Sequence, residues 1–218
     1  MDFIGEIISA EWRLMEQASP HRGCVPCHQD GFRSMRVSQL MAWNQRMLKS
    51  YYQDLLEAEA EGRNPIGERA GYLLERTSSE AYEQVKDTLP ERSLEKDYLL
   101  DWICQAQAVW QEELAKQYPR LVCRPIRRSE EGSVSFETCL WAELTSCSVP
   151  TLRLYAAYVE ELQQTGVNLN RIILLNLAAE YGWDSLEEAE QHLSERQSAV
   201  PLKTIKQNKF HKTQFVKL

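Results

Sequence analysis

The stretch "LNRIILLNLAAEYG", Leu169 to Gly182, is apolar on nearly every side of a 3.6-residue turn. It shows no strand-like alternation. A helix without a polar face belongs at the centre of a helical protein, so this stretch sets the expected fold class. Asn168 precedes it as an N-cap. Downstream, Ser185 and Glu188 have the spacing of a capping box for a last helix, and periodicity stops after Val200.

Reading upstream gives the same signal. Pro150 to Thr165 turns Leu152, Tyr155, Val159 and Leu162 inward, and a short helix covers Phe136 to Thr145. Leu94 to Gln117 places Leu99, Trp102, Ile103, Ala106, Val109, Trp110 and Leu114 on the buried side, ending at Tyr118-Pro119. Arg120 to Ser133 is the longest irregular stretch. Asn64-Pro65 starts a helix that reaches Thr77, with Asn as cap and Pro in the first turn. A shorter helix follows from Ser79 to Thr88. One long helix is expected from Gly31 to Glu61, stopped by Gly62, and a first helix from Asp2 to Ala18, stopped by Ser19-Pro20. The expectation is an all-α bundle of about eight or nine helices over residues 1–198, with an irregular basic tail over 199–218.

Bulk composition narrows the function classes. Of 218 residues, 43% are hydrophobic, enough for a core, and the net charge of −7 gives no overall field to recruit nucleic acid. The tail after Val200 holds Lys203, Lys206, Lys209, Lys212 and Lys217 and no acid. Nucleic acid or an acidic partner is therefore expected there or nowhere. No apolar run is long enough to span a bilayer. Glu6 and Glu11 break any signal-peptide core, so the six cysteines are expected as thiols in the cytoplasm.

Cys24-Val25-Pro26-Cys27-His28 matches a haem-attachment signal, but nothing here directs export. A zinc site on Cys24, Cys27 and His28 needs four workable ligands, and the adjacent pair Cys27-His28 can rarely serve one ion together. A redox dithiol lacks its usual βαβ setting. The favoured reading is two ordinary thiols in a surface loop, with a thiol or metal sensor as the alternative. The sequence specifies no cofactor.

The sharper site signal is polar residues on apolar faces. Ile4, Ile7, Ile8, Leu14 and Met15 define the buried stripe of the first helix, and Glu11 sits in its middle. A carboxylate there costs several kcal/mol unless it is paired. On the expected long helix, Arg36, Gln39, Trp43, Ser50 and Asp54 share one flank, with Arg33 a turn earlier. Arg33 and Arg36 are candidates to bind an anionic small molecule in a pocket between the first two helices. Gln39 and Asp54 would orient it, and Trp43 would wall it. Glu11 and Asp54 are the acid/base candidates. The competing reading is structural: Glu11 simply pairs with Arg36 and Trp43 is core. A third possibility is an interaction module using the acidic body or the basic tail.

Several blocks occur together: "SAEW", "DGFRSMRVSQLMAWN", "SYYQDLLEAEAEGRN", "FETCLWAELTS", "TLRLYAAYVEEL" and "YGWDSLEEAE". In this order they resemble the bacterial domain-of-unknown-function family numbered 4125, over roughly Ala10 to Glu190. The resemblance implies no reaction. It does imply weight at Glu11, Trp12, Arg36, Ser38, Gln39, Trp43, Asp54, Arg63, Asn64, Glu137 and Glu143, and so adds Arg63 to the candidate anion-binding residues and Asn64 to those that would orient the ligand. Cys24 is additional to the family pattern. Cys139 and Trp141 stand where a tyrosine and an arginine are expected, so any role of that arginine in relatives does not carry over.

Overall fold

The computed structural model describes residues 1–18, 29–122, 128–129 and 132–199. Among them are eleven α-helices. They are α1 (Phe3–Gln17), α2 (Gln29–Met41), α3 (Gln45–Ala60), α4 (Pro65–Thr77), α5 (Ser79–Glu83), α6 (Leu94–Gln117), α7 (Pro119–Val122), α8 (Phe136–Thr145), α9 (Val149–Gln164), α10 (Leu169–Glu180) and α11 (Leu186–Ala199). A 3-10 turn at Lys86–Thr88 follows α5, and Arg128–Ser129 pairs antiparallel with Gly132–Ser133. The all-α expectation holds. Cys24, Cys27, His28 and the tail over 200–218 lie outside the described residues.

The helix ends follow from local chemistry. Asp2, Asn64, Ser93, Ser135, Ser148 and Asn168 each accept a backbone N–H with the side chain at a helix start. Gly62, Gly166 and Gly182 take positive φ just past α3, α9 and α10, which a residue with a Cβ resists. At the last start, Ser185 Oγ accepts from Glu188 N, while Glu188 Oε2 accepts from Asp184 N rather than from Ser185 N.

The expected helix from Gly31 to Glu61 is two helices. The break lies at Ala42-Trp43-Asn44. Asn44 is extended (φ −77°, ψ 162°), and its Oδ1 accepts from Arg46 N and Met47 N, both at 3.0 Å. The cap wins because Trp43 gains a buried seat between Tyr51 and Tyr155. The shared flank from Arg36 to Asp54 therefore does not exist as one helical face. Asn44→Ala is expected to lower stability by about 1 kcal/mol, read as a fall in Tm of roughly 2–4 °C by calorimetry.

The core contains Ile7 and Leu14 of α1, Leu40 of α2, and Met47, Tyr51 and Leu55 of α3. Tyr72 of α4, Leu100 and Ile103 of α6, Leu144 of α8 and Leu152 of α9 complete it. The α10 helix is not its centre. It packs mainly on α2 and α6 and leaves Leu175 exposed. Its all-round apolar character has another cause. Leu169, Ile172 and Ile173 join the main core, while Leu174 and Ala178 join a second cluster with Leu114, Tyr118, Leu186 and Ala189. On α6, Val109 is exposed rather than inward, because buried Gln107 holds Tyr155 Oη at 2.9 Å and rotates the inner face toward α9. Among the described residues, no helix is long and apolar enough to cross a membrane.

Candidate functional site

Glu11 is fully enclosed, at 0% exposure. It reaches the interior because α1 buries the face that carries Ile7, Ile8 and Leu14. Four donors converge on its carboxylate. Arg36 forks onto it, Nε donating to Oε2 at 2.7 Å and Nη2 to Oε1 at 2.8 Å. Tyr51 Oη donates to Oε1 at 2.5 Å, and Arg69 Nη2 donates to Oε1 at 3.2 Å. Arg36 Nη1 serves two further acceptors, Gln39 Oε1 at 2.6 Å and Glu143 Oε1 at 2.5 Å. Arg69 Nη2 also donates to Tyr51 Oη, and its Nε donates to Ser146 Oγ at 3.1 Å.

Two carboxylates and two guanidiniums are thus matched charge for charge, drawn from α1, α2, α4 and α8, with the α3 phenol between them. Burial by itself pushes the Glu11 pKa up. The Arg36 and Arg69 charges, with the Tyr51 and Arg36 hydrogen bonds, outweigh burial and leave it below its ordinary 4.5. Arg36 is held well above its ordinary value, Glu11 and Glu143 overcoming the opposite push of burial. Burial first, and the Glu11 charge, raise Tyr51 well above 10.0. Glu11 is therefore an ionised, fixed counter-charge in the folded protein.

The sign of the pH dependence follows. A depressed carboxyl stabilises the fold above its unfolded value and loses that contribution as pH falls through the folded one. Stability is expected to be flat in this respect near neutrality and to decline below pH 4.5, the ordinary glutamate value. Urea melts between neutral and acid pH check this, and Glu11→Gln should flatten that part of the acid limb.

The other sequence-derived candidates separate. Gln39 joins the cluster through Arg36. Trp43 touches its edge through Tyr51, with ring centroids 5.6 Å apart. Asp54 Oδ2 accepts from Ser148 N at 2.9 Å, capping the start of α9. Arg63 pairs with Glu68 and Glu61 at the surface. Asn64 caps α4 through Gly67 N and donates to Leu14 O at 2.7 Å. Arg33 is exposed on α2 and makes no ion pair among the described residues. Trp141 is buried, with the Arg76 guanidinium 4.1 Å and the Arg92 guanidinium 5.1 Å from its ring centroid. Cys147 is buried and pushed up to about 12 by that burial, so it is a poor nucleophile.

Arg69, Tyr51 and Ser146 were not singled out from sequence. Arg69 follows the rule that found Glu11: it lies three residues from Ile66 and from Tyr72, on the packed side of α4.

Glu11, Arg36, Gln39 and Glu143 meet in one cluster, and all four stand at positions that the block resemblance weights. The family model described as Protein of unknown function (DUF4125) matches residues 1–191. The chain belongs to the DUF4125 family. No curated protein and no solved structure matches it. The match takes in every element that contributes to the cluster of this DUF4125 chain.

The cluster is sealed inside and open at its rim. Side-chain exposure rises from 0% at Glu11 and 3% at Arg36 to 18% at Arg69 and 25% at Glu143. Both N–H groups of Arg69 Nη1 lack a hydrogen-bond partner among the described residues. A separate open cleft of about 390 Å³ lies where α6 and α7 meet α11, lined by Gln117, Tyr118, Glu187 and Glu190 among others. There Glu190 accepts from Arg120 N and Leu121 N. None of the sequence-derived candidates lines that cleft.

Proposed function

We propose that this DUF4125 chain binds a small anionic metabolite at the Arg69–Glu143 rim of the buried charge cluster. The observation that carries the reading is the unused outer end of Arg69. Its inner edge is fixed by Glu11, Tyr51 and Ser146, while Nη1 has no hydrogen-bond partner among the described residues and the side chain reaches solvent. A guanidinium held in one orientation loses little freedom on meeting an anion, which favours recognition of carboxylate or phosphate. In this reading Glu11 is not a proton carrier. It pre-organises Arg36 and Arg69. Gln39 orients Arg36, and Trp43 supports the Tyr51 ring from behind.

Thermal melts with a panel of acetate, succinate, citrate and inorganic phosphate test the reading. A ligand at about 100 times its Kd adds about 2.7 kcal/mol, which for a chain of this size is a rise in Tm of roughly 5–11 °C. Arg69→Lys, which keeps the charge but loses the fork, should lose most of that rise. If no anion shifts the melt, or if Arg69→Lys responds as the parent does, the rim is not a binding site.

A further inference from the structure

The two carboxylates of the cluster are held very differently. Glu11 accepts four hydrogen bonds and has no exposure. Glu143 accepts one, from Arg36 Nη1, and its Oε2 has no partner among the described residues. Glu143 also sits in the last turn of α8 (Phe136–Thr145), where the helix dipole disfavours an anion. Its side chain is one-quarter exposed. One carboxylate is therefore built in, and the other is seated by a single contact with water at its back.

Arg36 and Arg69 both donate to the same oxygen, Glu11 Oε1. The two guanidiniums therefore meet at that atom. Arg36 Nη1 holds Glu143, and Arg69 Nη1 holds nothing among the described residues.

We infer that Glu143 occupies the seat of a ligand carboxylate. Resting on the anion-binding reading above, the ligand class is a small mono- or dicarboxylate. Its carboxylate replaces that of Glu143 on Arg36 Nη1 and meets Nη1 of Arg69, while Glu143 turns outward into water. Charge decides for carboxylate over phosphate. Exchanging one carboxylate for another leaves the two guanidiniums matched by two negative charges. A phosphate dianion would place both of its charges in that seat beside enclosed, ionised Glu11, whereas a dicarboxylate places one there and keeps its second carboxylate toward water.

The test uses the full chain and three probes, acetate, succinate and inorganic phosphate, with affinities read by isothermal titration calorimetry. Glu143→Gln keeps the shape and removes the competing charge. It is expected to bind succinate at least tenfold more tightly than the parent does. Glu143→Ala removes the group that acetate resembles, and saturating acetate is expected to raise its Tm toward that of the parent, with no comparable rise in the parent. Equal succinate affinity in the parent and Glu143→Gln, or acetate raising both melts alike, overturns the inference. If the parent still binds an anion in an Arg69-dependent way, the anion-binding reading survives that failure. A parent that prefers phosphate to succinate also overturns the carboxylate assignment and leaves the rim site intact. Absence of binding by the parent and both variants removes the two together.

Discussion

Replacing Arg36 by alanine is expected to cost the fold about 3–5 kcal/mol, the range for stranding a buried charge. Arg36 supplies two of the four hydrogen bonds to Glu11 and the one that holds Glu143. Glu143 is partly exposed and can turn to water, so its loss of a partner is mild. Glu11 has no such route. With Arg36 gone it keeps only Tyr51 and the longer Arg69 contact, and burial then drives its pKa up instead of down. At 2–4 °C per kcal/mol for a chain of this size, the melt should fall by roughly 6–20 °C. Removing both partners tests the cause. Glu11→Met combined with Arg36→Met takes away one charge of each sign and should recover at least half of the loss. Urea denaturation at neutral pH measures both. A single-variant cost below about 1 kcal/mol would put the pair in the class of solvated surface bridges and refute the buried-charge account.

Trp43→Ala is expected to cost about 3–5 kcal/mol as well, through a cavity rather than a charge. Trp43 is 8% exposed in the break between α2 and α3. It meets Tyr155 edge-on at 5.3 Å and 88°, and Tyr51 at 5.6 Å and 70°. Each such pair adds about 0.5–1.5 kcal/mol beyond its buried area. Trp43→Phe keeps an apolar ring in the break and should retain most of the stability. Because Tyr51 donates to Glu11, the alanine variant should also disturb the tyrosine near-ultraviolet dichroism before the chain unfolds. A variant that melts within about 1 °C of the parent would show that the break does not depend on the indole.

These two residues mark how far sequence reasoning reached. Glu11 was legible because a charge inside a stripe of Ile7, Ile8 and Leu14 breaks a pattern that burial otherwise dictates. Arg36 was legible as its partner because a buried carboxylate requires one. Glu143 came from the block resemblance, since its own helix gives no hint of a partner on α2. Arg69 was within reach of the same stripe rule, with Ile66 and Tyr72 on either side. Tyr51 was hidden for a different reason. Its ring belongs to the apolar face, and its hydroxyl does the polar work from the same position.

Boundaries were harder than faces. The helix starts at Asn64 and Asn168 carry their own caps and were legible. Asn44 carries an equally good cap, yet Val37, Met41, Leu48, Tyr51 and Leu55 would share one side of a continuous helix, whereas the structure leaves Met41 56% exposed. Periodicity therefore favoured one helix. The break is decided by tertiary packing of Trp43 against Tyr155, more than a hundred positions away. That break separates Asp54 from Arg36. Asp54, grouped with Arg36 by spacing, goes to the start of α9, and Arg63 and Asn64, added by the block resemblance, go to surface pairing and capping.

The even pairing of acid and base inside the cluster has a kinetic corollary. A quartet that sums to zero casts almost no field beyond its own diameter, and the surrounding chain carries −7. A dissolved anion drifting toward the rim is thus not drawn in from afar and, if anything, is mildly repelled. Capture there would run at the pace of undirected collisions, and added salt would speed it slightly rather than slow it.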